Sequence, residues 1–270
     1  MAVHYRDAEL GLVGGKQAVE LRARPARGAV DIWRLRFADG ELAERGWQMM
    51  TDDERVRADA FHFAADRERF CQSRLLLRMV LGGYLGIEPA GVAIKLGENG
   101  KPAVDGPSNG RLHFNLAHSK STALLAVTID QPVGVDVEDS DCVRIPDIGS
   151  LAESVMSERE LEVISELEGE SRLHCFLRCW TRKEALVKAM GVGLSVKLDA
   201  FTVPLDRAGA WEMQWRSDEA SEEKMIQIMD LSEGSVFSAV AASNLTGGVQ
   251  TFEFVEGTRT SRHDANMLMI

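Results

Sequence analysis

Cysteine is scarce in this sequence, and its spacing is unpaired. Cys71, Cys142, Cys175 and Cys179 lie among apolar residues without a CxxC repeat, which points to reduced structural thiols rather than a disulfide scaffold or zinc ribbon. A cluster of His174, Cys175 and Cys179 can be drawn, but cysteines on a buried helix face are the commoner arrangement. Positive charge is also short. Against 42 Asp and Glu stand 31 Lys and Arg, a net charge of −11 with a pI near 5.1, which argues against a general nucleic-acid binder. No apolar run approaches the ~20 residues of a membrane helix. The opening Met1-Ala2-Val3-His4-Tyr5-Arg6-Asp7 lacks the basic and then apolar build of a signal peptide, so a cytoplasmic location is expected. There is no Gly-x-Ser-x-Gly elbow, no P-loop and no Ser/His/Asp order that demands a covalent nucleophile.

What is present is an ordinary globular composition, 45% hydrophobic and 27% charged over 270 residues, enough for one large domain or two half-sized ones. The most strongly patterned stretch runs from Phe176 to Leu194. Phe176, Leu177, Trp180, Leu186, Val187 and Met190 recur at helical spacing, and Gly191 and Gly193 sit where a helix stops. Lys183, Glu184 and Lys188 lie in its middle. Taken alone, Glu184 and Lys188 read as a solvated i,i+4 pair of roughly 0.2–0.5 kcal/mol.

The chain divides into two similar halves. Residues 1–28 form an extension without a clear period, containing Arg22, Arg24 and Arg27. A strand is expected over Ala29–Phe37, with Trp33 out of phase. Thr51-Asp52-Asp53-Glu54 is a capping box that opens a helical region through Phe61 and Phe63. A second helix, about Asp66 to Tyr84, ends at Gly82-Gly83 and carries Arg67, Arg69, Arg74 and Arg78 on one face. Such a stripe is either a solvated face or a phosphate grip. Strands follow at Val92–Leu96, Lys101–Val104, Leu112–Leu116 and Ala123–Ile129. In Val133–Glu138, alternation puts Gly134, Asp136 and Glu138 on one face, the two acids about 6.7 Å apart along the strand. This is the pattern of an edge strand's polar face or of two ligands for one ion.

Ser157-Glu158-Arg159-Glu160 repeats the capping box, and Thr51 to Ser157 is the same interval as Phe70 to Phe176. Strand-type segments at Phe201–Val203 and Ser235–Ala242 match those of the first half. The expected fold is α+β: two pseudo-twofold-related halves of roughly 105 residues, each a small, mainly antiparallel sheet packed with a long helix. The halves are read as 29–140 and 141–255, with the boundary near Asp139 to Leu151, Asp136 and Glu138 at the junction, and a polar tail over 256–270. On this interval Arg78 is the first-half equivalent of Glu184.

The motifs Gly134-Val135-Asp136-Val137-Glu138 and Trp180-Thr181-Arg182-Lys183-Glu184-Ala185-x2-Lys188-x2-Gly191 resemble the two signatures of the 4′-phosphopantetheinyl transferases, in the large, pseudo-dimeric, Sfp-like branch. Gly100-Lys101-Pro102 and Phe114-Asn115-Leu116-Ala117-His118-Ser119 are similar to that family's upstream motifs, and the likeness extends over about residues 29–250.

The resemblance implies transfer of 4′-phosphopantetheine from coenzyme A to a serine hydroxyl of an acyl or peptidyl carrier protein, releasing adenosine 3′,5′-bisphosphate. Asp136, Glu138 and Glu184 would hold Mg²⁺, with Mn²⁺ as a substitute, since these hard cations take oxygen ligands and substrate phosphates. Glu184, or a metal-bound water beside it, would be the base for the serine, and Asp136, Lys183 and Lys188 would face the pyrophosphate. His118 and Arg69 would bind the 3′-phosphate, with Lys101 near the adenosine end. Ala117 stands where the family usually has serine, leaving only a backbone N–H for that phosphate. Carrier docking would use the N-terminal arginines or the Arg67–Arg78 helix, and the internal pseudo-dimer would work as a monomer. A degenerate coenzyme A or carrier-binding protein, or another Mg²⁺-dependent phosphate-ester enzyme, is the alternative.

Overall fold

The computed structural model describes residues 4–10, 24–38, 40–106, 111–193, 196–205, 209–215 and 224–256. Arg22 and the tail beyond Glu256 lie outside them.

Two sheets and two long helices stack in four layers. A five-stranded sheet has the order β1 (His4–Leu10), β11 (Gly248–Glu256), β2 (Ala29–Arg36), β6 (Thr122–Ile129), β5 (Leu112–His118). A four-stranded, wholly antiparallel sheet has the order β7 (Val133–Asp139), β10 (Val236–Ala242), β9 (Lys224–Asp230), β8 (Ala210–Trp215). Helix α3 (Ala64–Leu85) covers the outer face of the first sheet, where Leu75, Leu76 and Val80 meet Trp33, Leu125, Val127 and Phe252. Helix α6 (Gly169–Met190) covers the outer face of the second, where Phe176, Leu177 and Leu186 meet Ile228, Phe237, Ala239 and Ala241. The inner faces pack on each other through Val30, Ile32, Leu124 and Ala126 against Val133, Val135, Val137 and Val240.

This layering explains Trp33, which is out of phase only for a half-buried strand. β2 is buried on both faces, so Trp33 packs toward α3 while Ile32 packs toward the second sheet. The run Ala123–Ile129 is buried throughout for the same reason, with Thr128 the one polar residue in it. The two halves are not closed units. β7 precedes the expected boundary but pairs with β10 in the second sheet, and β11, from the far end of the chain, runs parallel to β2 and β1 in the first. β8 and β9 carry no strong sequence signal. The expected strand at Phe201–Val203 is absent, because the Val203 amide donates to Glu160 Oε1 at 2.6 Å instead of to a neighbouring strand.

The internal repeat is carried by the helices, with one shift of phase. Thr51 caps α2 (Asp52–Asp59) and Ser157 caps α5 (Glu158–Ser165), each through a complete capping box. Helix α2 stops at Asp59, and Phe63 is the N-cap of α3 rather than part of a continuing helix. Helices α3 and α6 are each 22 residues long and end on a left-handed glycine, Gly86 and Gly191. Gly82 and Gly83 therefore lie inside α3, not at its end. Helix α1 (Glu41–Met49) adds a short turn of structure that packs on α3.

Aligning the helix ends matches Arg78 with Lys183, one residue from the equivalence with Glu184 that the caps suggest. The contacts support the helical alignment. Glu54, the capping-box acid of α2, meets Arg78 at 2.8 Å, and Glu160, its counterpart in α5, meets Lys183 at 2.5 Å. Arg78 also donates to Val92 O at 2.9 Å, and Lys183 to the carbonyls of Val155, Leu198 and Phe201 at 2.9, 2.7 and 2.7 Å. Both cations are fully buried. Each half thus locks its short helix to its long one through a buried cation, Arg78 or Lys183, paired with the capping-box acid. Lys183 and Arg78 are structural, which corrects the expectation that Lys183 faces a pyrophosphate and that Arg78 belongs to an open arginine stripe. The other stripe members split as well: Arg67 pairs with Asp59 at 3.2 Å and lies over Trp47, while Arg69 and Arg74 stay near His118.

Removing one partner of such a pair strands the other charge in the interior. Lys183→Met should therefore lower stability by about 3–5 kcal/mol, measured by urea denaturation, whereas loss of an exposed lysine would change it by a fraction of that. At Gly134 on β7, an added Cβ would fall 2.0 Å from Ala185 O and 2.3 Å from Ala189 N of α6. Those atoms are backbone and cannot swing aside, so Gly134→Ala should cost at least the roughly 1–3 kcal/mol of ordinary overpacking, read in the same denaturation experiment.

Candidate active site

The face of β7 that Gly134 lays against α6 also carries Asp136 and Glu138. Gly134 brings strand and helix backbones together, and two residues further on Asp136 meets Lys188 of the same stretch of helix. Lys188 Nζ donates to Asp136 Oδ1 at 2.6 Å. The other oxygen, Oδ2, is buried with no hydrogen-bond partner. Burial raises the Asp136 pKa to about 7; Lys188 opposes the shift, while Glu138 and Glu184 add to it. Glu138 is also raised, first by burial, with a hydrogen bond from the Cys142 thiol and the charge of Lys188 working against the rise and Asp139 and Glu184 adding to it. Asp136, Glu138 and Glu184 therefore share one electrostatic neighbourhood. They are not drawn tightly around a point: among the described residues, no three acid, histidine or cysteine side chains sit in metal-ligating geometry.

Two connections hold this arrangement from the first half. Lys101, beside the hairpin strand Pro102–Val104, sends its Nζ to Val133 O at 3.0 Å and to Lys188 O at 2.5 Å. Asn99 Nδ2 donates to Gly191 O at 2.9 Å, satisfying a carbonyl just past the end of α6. Burial lowers the Lys101 pKa to about 8. Its ammonium is thus engaged by the two elements that carry the acids. The second connection runs through β5. Asn115 Oδ1 accepts from Val135 N at 2.8 Å, tying the first sheet to the edge of β7. Ser119 Oγ donates to Asp139 Oδ2 at 2.6 Å, and Ser121 N donates to the same oxygen at 2.8 Å. Although burial raises the Asp139 pKa, these bonds from Ser119 and Ser121 outweigh it and hold the acid below its usual value.

Asn115, Ser119 and Asp139 are positioning residues that sequence reasoning left without a role. The available signal was a polar side chain inside an otherwise apolar strand, in Asn115, and a third acid one residue past Glu138, in Asp139.

His118 closes β5 beside this cluster and stays open to solvent on one side. Partial desolvation lowers its pKa, and the positive charges of Lys188, Arg69 and Arg74 lower it further. Arg69 pairs with Asp66, and Arg74 lies 3.6 Å from Glu54 with its Nε buried and unpartnered. The rim thus concentrates positive potential in a protein that is acidic overall. Ala117 is 6% exposed and packs in the layer between the sheets, so its methyl group contacts protein and not the rim.

The donor set suits a hard divalent cation. Asp136, Glu138 and Glu184 would offer it oxygen donors, and Asp136 Oδ2 is an orphaned buried acceptor of the kind that an ion satisfies. No helix among the described residues is long and apolar enough to cross a membrane.

Comparison with known proteins matches both halves. The profile of the 4′-phosphopantetheinyl transferase superfamily covers residues 132–236, and that of the 4′-phosphopantetheinyl transferase N-terminal region covers residues 41–130. The 4′-phosphopantetheinyl transferase HetI of Nostoc sp. is 39% identical over 178 residues, 65% of this chain and 74% of that protein. A phosphopantetheinyl transferase of Thraustochytrium sp. is 32% identical over 66% of each chain. Sfp of Bacillus subtilis is 26% identical over 66% of this chain and 76% of its own. The first profile begins at the turn into β7 and contains α6, so it spans the strand and helix that bring the three acids together. The chain belongs to the 4′-phosphopantetheinyl transferase superfamily, in its Sfp-like branch.

Proposed function

We propose that this protein transfers the 4′-phosphopantetheine group of coenzyme A to a serine hydroxyl of an acyl or peptidyl carrier protein and releases adenosine 3′,5′-bisphosphate, with Mg²⁺ held by Asp136, Glu138 and Glu184. The observation that carries this reading is the pairing of a buried, half-satisfied Asp136 with a neighbouring cationic rim of His118, Arg69 and Arg74. That pairing suits a ligand whose pyrophosphate needs cations on one side and whose further phosphate needs them on the other.

A bound Mg²⁺ would neutralise pyrophosphate charge as the new bond forms. The chain's own residues do the rest. His118 and Arg69 bind the 3′-phosphate and so fix the nucleotide end. Lys188 turns its ammonium to the pyrophosphate oxygens. Glu184 takes the proton of the carrier serine as its oxygen attacks the β-phosphorus, and the bond from that phosphorus to the bridging oxygen breaks, leaving the bisphosphate. Lys101 and Asn115 touch none of the reacting atoms; they hold α6 and β7 at the spacing that this chemistry requires.

Incubation with coenzyme A, Mg²⁺ and an apo carrier protein should add the mass of one phosphopantetheine phosphate group to the carrier, read by mass spectrometry. Asp136→Asn and Glu184→Gln should each cut kcat/KM by about 10²–10³-fold or more, the scale of losing a preorganised electrostatic partner. A near-normal rate in either would remove that residue from the metal site, and phosphate release without a carrier would point to a hydrolase instead. His118→Ala should raise KM for coenzyme A about tenfold with kcat within a few-fold, since it loses a hydrogen bond to a charged group away from the reacting centre. An unchanged KM would take His118 out of the nucleotide contact.

A further inference from the structure

Lys188 stands where a cation belongs. Its Nζ satisfies one oxygen of Asp136 at 2.6 Å, while the second oxygen is buried and without a partner. The two side chains differ in freedom. Asp136 is 7% exposed on a strand pinned by Asn115, whereas the Lys188 side chain is 30% exposed. The Lys188 backbone is held as well, because its carbonyl accepts from Lys101 Nζ. Only the Lys188 side chain can leave this pair. It also has somewhere to go, since it shares the neighbourhood of His118 with Arg69 and Arg74, and a phosphate drawn to those cations would attract Lys188 too. The acids are correspondingly not gathered around a point in the protein alone.

We propose that Lys188 is a placeholder: in the free protein its ammonium fills the cation position beside Asp136, and it moves to phosphate when a pyrophosphate-bearing ligand arrives, so that ligand and divalent cation enter the site together. The idea rests on the metal-dependent reading above and adds an order to it. A lone divalent cation must compete with a tethered ammonium. A cation that arrives with the pyrophosphate finds Asp136 released. Linkage then requires metal and ligand to raise each other's affinity by the same factor.

The test measures Mn²⁺ binding, by calorimetry and by the electron paramagnetic signal of free Mn²⁺, with and without coenzyme A. The wild-type protein should bind Mn²⁺ weakly alone and about tenfold or more tightly with coenzyme A, within the ordinary range of coupling. Lys188→Gln should bind Mn²⁺ alone about tenfold more tightly than wild type, and its gain from coenzyme A should shrink. Lys188→Gln that binds Mn²⁺ alone no better than wild type, while Asp136→Asn abolishes binding, overturns the placeholder and leaves the metal site standing. Mn²⁺ binding that Asp136→Asn does not change overturns both. If Lys188→Gln does not fold, Lys188→Arg, which keeps the positive charge, decides: Mn²⁺ affinity at or below wild type supports the placeholder, and a higher affinity overturns it.

Discussion

The site depends on one close contact, the absence of a side chain where β7 crosses α6. Gly134 leaves room for the carbonyl of Ala185 and the amide of Ala189 at distances that any Cβ would violate. Because strand and helix touch there backbone to backbone, the next outward-facing residue of β7, Asp136, comes within hydrogen-bond reach of Lys188, and the acids of strand and helix enter one field. Packing and chemistry are thus the same constraint. The interior side of β7, with Val133, Val135 and Val137, is spent on joining the two sheets, so the strand serves the core with one face and the site with the other.

Around that contact the molecule adds clamps from the first half. Lys101 and Asn99 hold the C-terminal end of α6, and Asn115, Ser119 and Asp139 hold β7 and the turn that presents His118. The bonds of Asn115 and Ser119 are polar and buried, with the stakes of such groups: made, they fix one geometry, and broken, each leaves a costly orphan. The division of labour between the halves follows. The second sheet and its helix, through β7 and α6, carry the carboxylates, and the first sheet with α3 supplies the cationic rim and most of the clamps.

Much of this was legible in the sequence because periodicity and caps are local signals. Alternation in Val133–Glu138 placed Asp136 and Glu138 on the face that the structure turns to α6, and the two capping boxes located α2 and α5. What the sequence hid depended on phase and on distance along the chain. The caps repeat at one interval and the long helices at an interval one residue shorter, so counting from the caps equated Arg78 with Glu184, whereas the helix ends equate it with Lys183. One residue is about 100° of helix, enough to turn a buried structural cation into an apparent site partner. Lys183 looked functional because it adjoins Glu184, but neighbours on a helix face different ways. Phe201–Val203 has strand composition, yet its amide is taken by Glu160, a partner some 40 residues upstream that no local pattern reveals.

The path of the last strand carries a consequence for biogenesis. β11 is inserted between β1 and β2 and is the only described strand that pairs with either on that side. Until residues 248–256 have left the ribosome, β2 keeps an open row of backbone donors and acceptors, an edge prone to pairing with other chains. The repeat in the sequence suggests two units that could fold one after the other. The strand order makes the first unit wait for the end of the second, so the repeat does not yield two separable pieces.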